Sequence, residues 1–186
     1  MPLTTLDPKP AFVAIDLQKG IVSMPTVHPI ADVVQRAASL AAAFRRRGLP
    51  VVLVNVAGGA PGRTEAGFSP RALPPDWTEI VEELQPQPGD LRITKMRWGA
   101  FTETTLDADL RALGVTQIVL AGVATSIGVE STARIAYELG YHVVLATDAM
   151  TDRDPDAHDG SVQRIFPRLG ERATTAEILA MLETSA

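Results

Sequence analysis

The chain has 186 residues, 46% hydrophobic and 21% charged, with a formal net charge of -5 and no cysteine. This length suits one domain with a sizeable core, and the composition excludes a disordered or fibrous chain. The missing thiol excludes disulfides, thiolate metal sites and a cysteine nucleophile, and the negative balance with scattered basic residues argues against nucleic acid.

The amino-terminal run MPLTTLDPKP has neither a basic n-region nor an apolar h-region, and no apolar run approaches the roughly 20 residues that a bilayer crossing needs. The expectation is a cytoplasmic protein without a membrane partner. FVAIDL (12–17) and VVLVNV (51–56) read as strands, because they are short, apolar and rich in β-branched residues. Between them Val33, Val34, Ala37, Leu40, Ala41 and Phe44 recur at helical spacing. Arg45, Arg46 and Arg47 close that helix, where cations complement its dipole, and Gly48 stops it.

From Ala57 to Pro75 the rhythm breaks, with Gly58, Gly59, Gly62 and Gly67 interleaved with Pro61, Pro70, Pro74 and Pro75. A loop this long is a lid, a subunit contact or a variable surface excursion. The pattern then resumes: a strand at Leu91–Thr94, a helix near Glu103–Leu113, a strand from Gln117, a helix to Leu139 stopped by Gly140, and a strand from His142. Asp154 before Pro155 reads as a helix N-cap, and Thr174 with Glu177 fits a capping box. Six strands alternating with helices, apolar on both faces, predict a covered parallel sheet in one domain, 1–186.

In such sheets ligands bind beyond the carboxyl ends of the strands. The polar residues there are Asp16, Asn55, Lys95, the turn Thr125–Gly128 and Asp148. DLQKG after the first strand lacks the G-x-G-x-x-G of a dinucleotide site, no P-loop is present, and no cofactor is expected. His28, His142 and His158 are far apart and no histidine–carboxylate cluster has ligand spacing, so no metal is expected. His142 reads as packed or paired within its strand, whereas His158 is placed to approach the crevice. Asp16, a carboxylate closing an apolar strand, is expensive to bury unpaired, and Lys95 is the candidate partner. The pair is either a tie between strand ends or a proton donor or acceptor at the crevice floor, with burial raising and Lys95 lowering the aspartate pKa.

FVAIDLQKG, TKMRWGAFTETTLDADLRALG and IVLAGVATSIGVESTARIAYELGYHVVLATDA together resemble the isochorismatase-like hydrolases, over nearly the whole chain. The IGVESTAR and WGAF runs are similar to the YecD-like branch of that family. The resemblance implies a single doubly wound (Rossmann-like) α/β domain with helices on both faces and sheet order 3-2-1-4-5-6, a small-molecule substrate and a homo-oligomer. It also implies catalytic roles for Asp16 and Lys95, with Gly128 at the position of the family's cysteine, backbone oxyanion donors at Ala124 and Gly128, and a cis peptide between Val123 and Ala124.

Ser126 and Thr125 are weaker candidates to replace the thiol, because a serine two residues earlier points elsewhere, lacks an evident histidine base and lies where a helix N-cap is expected. Capping is the expected role, with Ser126-dependent amide hydrolysis as a third reading. Family members that hydrolyse isochorismate carry glycine here and cleave a vinyl ether by protonating it. The residues before Gly128 differ from theirs, however, as do Trp98 and Gly99. Asn55, Arg97, Trp98, Thr125 and Ser126 are candidates to line the substrate pocket, Arg97 as an anion anchor and Trp98 as an apolar wall. Phe101 reads as core, and Glu130 with Arg134 as a helical i,i+4 pair. The resulting expectation is a hydrolase acting on a small, anionic molecule without an enzyme nucleophile; the alternative is an inactive family member that binds a metabolite or a protein.

Overall fold

Six strands, β1 (Pro10–Ile15), β2 (Val51–Val56), β3 (Leu91–Lys95), β4 (Gln117–Val123), β5 (His142–Thr151) and β6 (Glu171–Ala173), form one sheet in the order β3-β2-β1-β4-β5-β6. Every strand pair in it is parallel. The computed structural model describes residues 3–65 and 73–184, so Gly67 and Pro70 of the long loop lie outside the described residues.

Alternation along the strands builds two cores from one sheet, because successive side chains point to opposite faces. Phe12 and Ala14 of β1, Leu53 of β2 and Val119 and Ala121 of β4 face one layer, packed with Leu40 and Phe44 of α2 (Ile30–Arg46) and Ile178 of the last helix (Thr175–Thr184). Val13 and Ile15, Val52 and Val54, and Ile118 and Leu120 face the other, with Leu106 and Leu110 of α3 (Leu106–Ala112) and Ala133 and Ala136 of α4 (Glu130–Glu138). The four central strands, β2, β1, β4 and β5, are therefore apolar on both sides. The result is the single doubly wound α/β domain predicted, with helices on both faces.

Local signals hold at most boundaries. Asp154 caps its helix by accepting from Asp156 and Ala157 N–H (2.8 and 3.1 Å), and Thr174 N–H donates to the Glu177 carboxylate at 2.7 Å. Gly48 and Gly140 take positive φ after their helices. Three expectations are corrected. The helix predicted near Glu103 begins at Leu106, because Glu103 sits at φ +57 and Thr104 Oγ1 accepts from Leu106 N–H. Arg45 does more than face a helix end: it forms a two-point bond to Asp90 (2.9 and 2.8 Å). His142 is exposed rather than packed.

One close approach shapes the carboxyl edge. Ile15 pairs with Gly122 in the β1–β4 ladder, and a Cβ on Gly122 would lie 2.0 Å from Ile15 O. Gly122 also has φ +123, which L side chains rarely adopt, so both space and backbone require glycine there. The ends of β1 and β4 are thereby drawn together where their loops begin.

Candidate active site

Asp16 follows directly on β1 with φ +52, its N–H donating to Val54 O at 2.9 Å. This left-handed turn directs the chain off the strand end, a conformation that is uncommon outside glycine and that aspartate tolerates better than most residues. Lys95 closes β3, two strands away, and its long side chain reaches past β2 so that Nζ lies 2.7 Å from Asp16 Oδ2. The same ammonium donates to Arg97 O at 3.2 Å. Both residues are buried, Asp16 at 5% and Lys95 at 2% exposure.

Asp16 Oδ1 is buried without a hydrogen-bond partner. Burial pushes the Asp16 carboxyl from 3.8 up to about 6, and the charge and hydrogen bond of Lys95 only partly oppose it. Desolvation therefore outweighs the counter-charge, leaving a carboxyl that changes protonation close to neutrality.

Beyond β4 a cis peptide joins Val123 to Ala124, as the resemblance implied, and residues Thr125–Val129 form one π-helical turn leading into α4. Gly128 lies in that turn. A Cβ built on it would sit 3.2 Å from Asp16 Oδ2 and 3.0 Å from Ile15 Cγ2, so its bare face is turned to the carboxylate. Ser126 does not cap the helix with its hydroxyl. The N-cap is Ala124, without a side-chain bond, and Asp152 serves instead by accepting from Ser126 N–H at 2.7 Å. Thr125 is fully buried and its hydroxyl meets His158 Nδ1 at 2.9 Å.

A cavity of about 250 Å³ opens over these groups. Asp16, Lys95, Ala124, Gly128 and Trp98 line it, as do Trp77 and Arg153. Several other pocket candidates are turned away for identifiable reasons. Asn55 Nδ2 donates to Thr78 O (2.8 Å), Arg97 is engaged by Glu103 (2.9 Å) and by Met96 O (3.0 Å), and Thr125 and Ser126 are held as described. Asp148 caps the last helix by accepting from Thr175 N–H at 2.7 Å. His158 stands behind the turn, its ring edge-on to His28 at 4.7 Å, and burial lowers its pKa.

Sequence reasoning passed over Trp77, Gln18 and Arg153. Gln18, fully buried, accepts from Val56 N–H (2.7 Å) and donates to Val56 O and Trp77 O (both 3.0 Å). It thus ties the segment after the long loop to the end of β2. Gly20 completes the seat, since a Cβ there would overlap the Trp77 ring at 2.1 Å. The signal in the sequence was DLQKG itself, with a polar residue and a glycine close after the strand-end aspartate. Among the described residues, no group of three or more acidic or histidine side chains is arranged to hold a metal ion, and no helix is long and apolar enough to cross a membrane.

Comparison with known proteins matches residues 10–177 to the isochorismatase domain. The chain is 42% identical to the isochorismatase family protein YwoC of Bacillus subtilis, over 94% of this chain and 95% of that protein. It is 41% identical to YecD of Escherichia coli O157:H7, over 92% and 95%. Among solved structures, an isochorismatase family protein from Burkholderia thailandensis is 48% identical with a TM-score of 0.93, covering 97% of this chain and 98% of that one. N-carbamoylsarcosine amidase from Thermoplasma acidophilum is 30% identical with a TM-score of 0.76, over 90% and 96%.

Proposed function

The chain belongs to the isochorismatase family of hydrolases, and from the buried pair at its strand ends we propose that it hydrolyses a small, anionic molecule without a covalent enzyme intermediate. The observation that carries this reading is the Asp16 carboxyl: held by Lys95 through one oxygen, unpartnered at the other, and raised to about 6. A general acid or base works best when its pKa lies near the operating pH. Gly128 presents no side chain between that carboxyl and the cavity, and the chain has no cysteine to attack an acyl carbon.

In the proposed step, protonated Asp16 donates its proton to the substrate from Oδ1, as in vinyl ether hydrolysis of the isochorismatase type. Protonation of the vinyl carbon makes the carbon that bears the ether oxygen electrophilic; water adds to it and gives a proton back to the Asp16 carboxylate. The hemiketal so formed collapses, its C–O bond to the leaving alcohol breaking as a carbonyl forms and the alcohol oxygen takes up the hemiketal proton. Lys95 holds Asp16 in position and stabilises the carboxylate that forms as the proton leaves. The amides of Ala124 and Gly128, on the turn facing the carboxyl, are the proposed donors to the oxygen that gains charge or to the attacking water. The substrate sits in a homo-oligomer, the state the family resemblance implies.

A pH profile of turnover tests the assignment. If Asp16 acts as the acid, kcat/KM falls as pH rises through about 6, since the protonated form is then lost. A rise through the same value would identify it as the base that activates water, and a flat profile in both wild type and Asp16→Asn would overturn its role.

A further inference from the structure

We propose that Arg153 is the anion anchor of this cavity and that the ligand is a small aromatic monocarboxylate, its ring laid against the two tryptophans and its carboxylate on the Arg153 guanidinium. The inference rests on the reading of this cavity as the substrate site and adds to it the chemical class of the ligand.

The charges in the cavity single out Arg153. Lys95 is buried against Asp16, and Arg97, the anchor expected from the sequence, is turned onto Glu103. Arg153 is exposed at the cavity mouth, and among the described residues no acidic side chain pairs with its guanidinium. Its neighbour Asp152 forms no ion pair with that guanidinium and is held by backbone amides instead: Oδ1 accepts from Arg153 N–H and Oδ2 from Ser126 N–H, each at 2.7 Å. One carboxylate thus fixes the backbone of Arg153 relative to the turn that carries Gly128. Lys95 is held by Asp16, so among the described residues lining the cavity Arg153 is the cation that no acidic side chain holds, in a chain of net charge -5. A guanidinium of this kind is matched by the two oxygens of a carboxylate.

The walls set the rest of the ligand. Both tryptophans of the chain line this one cavity, together with Ile21, Met24 and Ile127. Trp98 is 60% exposed, leaving an indole face that a flat apolar ring would cover. At about 30 Å³ per water-sized group, 250 Å³ holds a single ring with short substituents. The anchor stands at the exposed mouth and Asp16 at the buried floor, so the carboxylate and the bond to be cleaved belong at opposite ends of the molecule.

The tryptophans supply the readout. The full chain is titrated with benzoate, benzamide, benzylammonium and acetate while indole fluorescence is followed. Benzoate should give a saturable change and bind at least about tenfold tighter than benzamide, the usual scale of a charge-assisted bond over a neutral one. Benzylammonium and acetate should bind more weakly still. Arg153→Gln should remove the advantage of benzoate while leaving benzamide binding as it was, which also controls for folding. Equal affinity for benzoate and benzamide in wild type, or a benzoate preference that survives in Arg153→Gln, would overturn the proposal. Binding is read without turnover: if Asp16→Asn retained activity while benzoate still required Arg153, the chemistry assigned to Asp16 would fall and the anchor would stand.

Discussion

Of two cavities at opposite ends of the sheet, the larger is the chemically quieter. At the amino ends of β4 to β6, a cleft of about 470 Å³ is lined by Thr4, Asp7, Gln117, Tyr141 and Glu171. Its polar groups satisfy one another: Asp7 accepts from the Thr116 hydroxyl, Gln117 accepts from Asp7 N–H (2.9 Å) and donates to Thr5 O (3.1 Å), and Glu171 accepts from Thr4 N–H (3.0 Å). At the carboxyl ends a cavity of about 250 Å³ holds an aspartate with an orphan oxygen, a raised pKa and left-handed backbone. Volume does not mark the site. Polar groups left unsatisfied at a cost to folding do.

The contrast is broken most directly at Asp16. Asp16→Asn should lower kcat about a thousandfold, within the range general acid catalysis supplies, on any substrate that the wild type turns over. Retained turnover in a folded variant would erase the distinction between the two ends. Next in size, Lys95→Met should lower kcat about a hundredfold, as for loss of one preorganised electrostatic group. It should also move the falling limb of the pH profile upward. Lys95 lowers the Asp16 pKa, so removing it carries the midpoint above about 6 and extends the active range to higher pH.

Asp16 also links stability to pH. Its folded pKa exceeds the unfolded value of 3.8, so its contribution is full below 3.8 and is lost as pH rises through about 6. Thermal melts across that window should show wild type losing stability that Asp16→Asn does not lose.

Two smaller effects sharpen the comparison. Gly128→Cys should fold with a loss of about 1 kcal/mol, because its Cβ meets Ile15 Cγ2 at 3.0 Å and neighbours must give slightly. Its thiol should be labelled by iodoacetamide, and absence of labelling in folded protein would show that the position does not face the cavity. Gln117→Leu, at the other end, should cost about 1 kcal/mol in chemical denaturation by leaving backbone groups unpartnered, with turnover unchanged.

The sheet was legible because its central strands are apolar on both faces and its helices announce their ends, as at Asp154-Pro155 and Gly48. The juxtaposition of Asp16, Lys95 and the Gly128 turn was legible because the strand order places their loops together. What the sequence hid was the direction of side chains. Arg97 and Arg153 both follow strand ends, yet Glu103, a left-handed residue six positions on, takes the first, and among the described residues nothing acidic takes the second. Trp77 was hidden for a related reason: its place depends on the bare face of Gly20 and on the Gln18 amide, which donates to Trp77 O and is itself held by Val56 N–H and O, none of which has a periodic signature.

The open face of Gly128 has an evolutionary reading. Two of the glycine codons differ from a cysteine codon by a single base, and the space beside Asp16 already accepts a Cβ with only a slight yielding of its neighbours. Where Gly128 is encoded by one of those two codons, the scaffold stands one base change from carrying a thiol beside an aspartate and a lysine already in place. On the proposed reading, two reaction styles then become neighbours in sequence space.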